Sequence, residues 1–211
     1  AAALEDGGSV FGLIPFCGKH ASGKHDRLTF GDPMDLAAFS ATQTVTVSFD
    51  DWFLADDQVL HRRSPDWIAQ NDRDKILSSS FFTLGCTQGS LDLLQNALTK
   101  RTEVADELGE TIEAIATELA QCRQVIYDHY RNDRPEDAEK LSPDEQLAWR
   151  GRAIALALNA ANIAVVTSGG AANYRDHPAQ RLSREAIVFG VTGQTSAVLR
   201  TTLQAQRIPT R

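Results

Sequence analysis

The chain has 211 residues, 42% of them hydrophobic, so it can bury a sizeable core and is not a disordered chain. Its 21 Lys and Arg against 28 Asp and Glu give a formal net charge of −7, a poor match for a phosphate backbone, so no nucleic-acid partner is expected. No apolar run approaches the roughly 20 residues that span a bilayer, so no membrane partner is expected either.

The start, Ala1-Ala2-Ala3-Leu4-Glu5-Asp6, carries neither Met nor a basic region before an apolar core. No signal peptide is expected from this start, and a piece of a longer protein is. Asp6-Gly7-Gly8 marks a turn, and a mostly apolar strand is predicted over Ser9 to Phe16. A loop rich in Gly, Lys and His follows. Thr42 to Phe49 alternates as a strand should, with Val45, Val47 and Phe49 on one side. Asp50-Asp51 breaks it and Trp52-Phe53-Leu54 resumes. The polar stretch from His61 to Arg73 places a domain boundary near residue 70, giving 1–70 as a β-rich unit and 71–211 as a helical one.

Beyond that point the period becomes helical. Ile76, Phe81, Leu84, Leu91, Leu94 and Leu98 form one stripe, with Gly85 and Gly89 four apart. Val104, Leu108, Ile112, Ile115, Leu119, Cys122 and Ile126 form a second, and Arg131 to Lys140 is a charged connector. Ser142-Pro143-Asp144-Glu145 is a helix start, with Ser142 as cap, Pro143 at the first helical position and Glu145 closing a capping box. That helix runs to Gly169-Gly170. Asn173 to Arg181 reads as a loop or short turn, and a last helix is predicted from Arg184 to Gln204, bent near Gly193. The fold class is α+β: a partial β-domain followed by an antiparallel four-helix bundle.

Few motifs point to chemistry. Gly18 to His25 nearly matches a phosphate loop, but His25 stands where a Mg²⁺-binding hydroxyl belongs and no helix follows, so a solvated hairpin loop is the better account. Cys17, His20 and His25 lack a fourth ligand at a sensible spacing, and no metal site is expected. Cys17, Cys86 and Cys122 show no close pairing, which fits a reducing compartment and an expected cytoplasmic location. His61, His129 and His177 are scattered and read as surface or capping residues. Gly169-Gly170 reads either as a helix C-cap or as backbone that a phosphate approaches closely.

Ser168-Gly169-Gly170, the segment Asn173 to Arg181 with Tyr174 and Pro178, then Arg184-Glu185-Ala186, then Val191-Thr192-Gly193-Gln194-Thr195 follow one another in a telling order. In order and spacing they resemble the C-terminal signature of the acyl-CoA dehydrogenase flavoproteins. Thr46 to Asp57 is similar to the end of that family's middle β-domain, and Phe82 to Asp92 to the first helix of its C-terminal bundle. The resemblance implies a flavin, FAD with FMN as the alternative, held at Gly169, Gly170, Thr195 and Ser196. It implies an acyl-CoA or other small-molecule substrate and a homo-oligomer, dimer or tetramer, formed through the bundle. The departures are as clear. The family's catalytic Glu corresponds to Gly193, which cannot take a proton, so no catalytic residue is assigned; Asp92 is the only acidic candidate on the earlier helix, where a solvated face suits it better. The family's R-x-x-F-G segment is absent, Lys100-Arg101-Thr102 leading straight into the next helix, and its usual glutamine before Gly-Gly is Val166. Arg181 and Arg184 match family arginines, Arg184 reading equally as an internal pairing group and as a pyrophosphate ligand. Without the Glu, a flavin-dependent monooxygenase is a second reading, and a non-catalytic helical-bundle partner a third.

Overall fold

A computed structural model describes residues 2–14, 16, 20–22, 27–131 and 140–207. The chain divides into two compact units, Ala1–Asp74 and Lys75–Arg211.

The first unit holds two antiparallel three-stranded sheets. One has the order β1 (Ala2–Ala3), β2 (Ser9–Gly12), β6 (Val59–Arg63); the other is β3 (His20–Ser22), β4 (Arg27–Phe30), β5 (Val47–Asp50). Leu28 and Phe30 alternate inward from β4 and are buried. Several expectations are corrected here. The strand predicted from Thr42 starts only at Val47, because Ser40–Thr42 is a 3₁₀ turn flanked by left-handed Phe39 and Gln43. Asp51 has φ 50° and ends β5 as expected, a conformation that Asp tolerates better than most residues. Trp52-Phe53-Leu54 forms no strand. The polar stretch after it contains both β6 and a helix, α1 (Trp67–Asp74). Tertiary contacts account for these: β6 pairs with β2 across the length of the unit, Trp67 meets Phe11 edge-on at 5.4 Å, and Arg63 lies over Trp67 at 5.0 Å. His20 to Ser22 pair with β4 as one arm of a hairpin. Cys17 and His25, and most of the loop between them, lie outside the described residues.

The second unit is the expected bundle, with its last helix in two pieces: α2 (Ser80–Leu98), α3 (Ala105–Tyr130), α4 (Pro143–Ser168), α5 (Pro178–Val191) and α6 (Ser196–Ala205). The start is as the sequence predicts. Ser142 Oγ accepts from Glu145 N at 3.3 Å, and Glu145 Oε2 accepts from Ser142 N at 2.8 Å. α4 is central and packs against all four other helices. Its buried residues include alanine at 153, 157, 160, 161 and 164, with Ile154 and Leu156 among them, and α2 buries Thr83, Thr87 and Ser90. The hydroxyls of Thr87 and Ser90 return to carbonyls one turn back, both at 3.0 Å, so these two are buried without loss of bonding, while the buried Ser80 hydroxyl has no partner among the described residues. Contrary to the sequence reading, α4 with the turn after it is long and apolar enough to cross a membrane. Its place at the centre of the bundle gives that composition a packing reason. The last helix predicted from Arg184 starts earlier, at Pro178, because His177 Nδ1 accepts from Ala179 N at 3.2 Å. It stops at Val191. Gly193 has φ +56°, and Thr195 then caps α6 by accepting from Val198 N at 3.3 Å. What reads as a bend is a full break.

Candidate functional site

The cofactor residues suggested by sequence fall at two corners of the bundle. The first is the end of α4. Gly169 takes φ +63° and ψ −146°, which only glycine adopts readily, and turns the chain into a 3₁₀ segment, Gly169–Asn173. A Cβ on Gly170 would meet no atom within 4 Å, so its backbone is open. Arg101, from the connection between α2 and α3, reaches this corner. Its Nε donates to Thr167 O at 3.3 Å, its Nη2 lies 3.2 Å from where a Gly169 Cβ would stand, and Nη1 is 3.7 Å from Glu103. With Glu103, Val104, Leu108, Val166 and Thr167 it lines a cleft of about 290 Å³. The sequence reading passed over Arg101. A lone Arg after a helix carries no local signal, and the contact with Thr167 is between residues distant in the chain.

The second corner is the α5–α6 link, with Gly193, Thr195 and Ser196. Thr195 and Ser196 are exposed at the N-terminus of α6, where unpaired amides favour an anion. Behind the link stands Arg150 of α4, also missed in the sequence and only 6% exposed. Its Nη1 donates to Ile76 O at 2.8 Å; its Nη2 donates to Thr192 O at 2.6 Å and, more weakly, to Gly193 O at 3.4 Å. Burial lowers its pKa, and nearby Tyr130 raises it. A Cβ on Gly193 would meet a single group within 4 Å, Arg150 Nη2 at 3.4 Å. Among the described residues, then, the group nearest this point is a buried guanidinium and not a carboxylate.

The structure does not bring the corners together. Arg150 marks one and Gly169 the other, and α4 between them spans roughly 28 Å at about 1.5 Å per residue. No one phosphate group touches both.

The remaining candidates have structural partners. Asp92 is exposed and accepts from Gln88 at 2.9 Å. Arg181 pairs with Glu185 at 3.6 Å, and Arg184 donates to Arg175 O at 3.1 Å, which favours the internal role for Arg184. Gly89 lies against Leu182 of α5, while Gly85 faces open space. Cys86 and Cys122 are free and buried; burial pushes their thiols up to about 12 and about 11, so neither is a ready nucleophile. Among the described residues no group of three or more His, Cys, Asp and Glu could hold a metal.

No family model matches the chain, and no curated protein matches it by sequence. Solved structures do. A putative acyl-CoA dehydrogenase from Mycobacterium smegmatis matches 85% of this chain and 50% of its own, at 17% identity and a TM-score of 0.69. Butyryl-CoA dehydrogenase from Megasphaera elsdenii matches 96% of this chain and 61% of its own, at 14% identity and a TM-score of 0.58. The flavoprotein nitroalkane oxidase matches 86% and 45%, at 12% identity and a TM-score of 0.60. The chain thus spans between 45% and 61% of the length of these three proteins. At such identities the likeness is one of architecture, and the architecture is that of an acyl-CoA dehydrogenase-like fold.

Proposed function

We propose that the chain is part of a flavin-dependent oxidoreductase acting on a small molecule, an acyl-CoA or a compound of similar size, with FAD as the expected flavin and FMN as the alternative. The observation that carries this reading is the first corner, where Arg101, shared with Glu103 at 3.7 Å, stands beside Gly169, the residue before the open Gly170. A guanidinium and unshielded backbone are what a phosphate needs, so the residues fit the diphosphate part of such a cofactor. The N-terminus of α6, with Thr195 and Ser196, offers a second set of donors of the same kind. When bound, a flavin supplies a two-electron acceptor. This chain's part is to bind and orient it.

The two corners belong to opposite ends of α4, so the reading includes assembly. A second copy running the other way places one copy's Gly169 corner near the other's α6 corner. Exposed apolar residues on α5 and α6, among them Ile187, Val191 and Leu203, supply surface for such contacts. The oligomer is a dimer or tetramer.

Gly193 favours a second reading of the chemistry. At the place of the dehydrogenases' Glu it offers no proton acceptor, and the nearest group is the cation Arg150. Oxygen-using flavin chemistry has no need of a carboxylate there. Uptake of FAD by the purified chain tests the proposal. Arg101→Ala is expected to weaken uptake about tenfold, the loss of one charge-assisted contact. Colourless wild-type protein that takes up neither FAD nor FMN contradicts the flavin reading and favours the non-catalytic bundle. With FAD bound, bleaching by an acyl-CoA supports dehydrogenation, and bleaching only by reduced nicotinamide or a reductase supports the oxygen-using reading.

A further inference from the structure

Arg150 is nine-tenths buried, yet among the described residues no carboxylate pairs with it and its Nε has no partner. A buried guanidinium without an anion is costly unless its donors are used. Its two Nη atoms make three hydrogen bonds to backbone carbonyls from two separate segments: Nη1 to Ile76, just before α2, and Nη2 to Thr192 with, more weakly, Gly193, between α5 and α6. The bonds made by the link itself are local. Thr192 N and Oγ1 return to Val188 O, while Thr195 serves Val198 N and Leu199 N. Among the described hydrogen bonds, only those of Arg150 tie residues 192–195 to any element other than α5 and α6.

We propose that Arg150 is the positioning residue of this corner. Its planar fork tethers the link, and with it Gly193, Thr195 and Ser196, to α4 and to the start of α2. A guanidinium does this because one planar group presents donors in two directions at fixed spacing, which a lysine ammonium on the same helix does not. The functional consequence, an α6 N-terminus held ready for a ligand, rests on the flavin reading above; the tether itself does not.

The test is amide hydrogen exchange on the full flavin-free chain, comparing wild type with Arg150→Lys and Arg150→Ala. The amides of Thr192, Val198 and Leu199 are expected to exchange about tenfold faster or more in both variants, while those in the middle of α3 keep their wild-type rates. Millimolar guanidinium is expected to restore protection in Arg150→Ala and not in Arg150→Lys, whose side chain fills the space. Unchanged exchange at the link overturns the proposal. So does an equal rise throughout the bundle without rescue, which would make Arg150 a support of the whole core. FAD uptake separates the two proposals. A wild type that takes up none defeats the flavin reading and leaves exchange to decide the tether. Wild-type affinity in an Arg150→Lys variant whose link has loosened defeats the positioning role.

Discussion

Gly193 shows how much one position determines. Its φ of +56° is a left-handed conformation that costs a non-glycine residue about 1 kcal/mol or more. Gly193→Glu is therefore expected to destabilise the chain by about that much in a urea melt, and an unchanged midpoint would refute the backbone assignment. Nor would the new carboxylate become a base. Arg150 Nη2 lies 3.4 Å from the Cβ position, and a guanidinium so near favours the charged carboxylate and weakens it as a proton acceptor. The variant is expected to show no exchange of the α-proton of an acyl thioester; exchange above wild type would show that Arg150 does not govern this corner. None of this was legible in the sequence, which shows a glycine where a glutamate is common but neither the sign of φ nor the cation behind it.

Among the elements, α4 was the most legible because its signals are local. Ser142, Pro143 and Glu145 define its start within four residues, and the structure has each bond of that box. Ser142→Ala is expected to cost about 1 kcal/mol in a thermal melt. Hydrogen bonds from the Ser142 side chain and backbone hold the Glu145 carboxyl below its usual range. A group whose folded pKa is depressed contributes stability above its unfolded value, here 4.5, and loses it as pH falls through the lower folded value. The gap between wild type and Ser142→Ala should therefore hold at neutral pH and narrow below that range; a gap constant down to acid denaturation would contradict the capping box. Elements specified by distant contacts were less legible. β6 depends on β2, and α1 carries Trp67 against Phe11, neither visible in a short window. The break between α5 and α6 was read as a bend near Gly193, because one glycine in a helical stretch does not itself separate a kink from a helix end. α6 also needs Gly151 on α4, where a Cβ would stand 2.8 Å from Thr201 Cγ2 and 3.1 Å from Thr201 O. Gly151→Val is expected to push α6 away at a cost of roughly 2 kcal/mol, read in urea and as faster amide exchange in α6. Neutral behaviour would show that α6 packs elsewhere.

For the molecule as a whole, the α+β architecture was legible from the order of its patterns, and Gly169, Gly170, Thr195 and Ser196 were proposed from motif order. Their separation was not, because only the fold shows that the α5–α6 link packs against Arg150, roughly 28 Å along α4 from Gly169. Arg101 and Arg150 were missed for a related reason: each acts through carbonyls brought near only by folding. In the proposed assembly each flavin is held by the Gly169 corner of one copy and the α6 corner of another. Arg101→Glu places a negative charge at the first corner, and Ser196→Glu places one at the second, where a helix N-terminus tolerates it. The decisive measurement is FAD uptake by each variant alone and by the two co-expressed and purified together. From this assembly, little uptake is expected by either variant alone, and about a quarter of wild-type uptake by the mixture, because about half of randomly formed pairs are mixed and each mixed pair has one of its two sites with both corners intact. A mixture that binds no more FAD than its components, or a wild-type monomer that binds FAD fully, would contradict it.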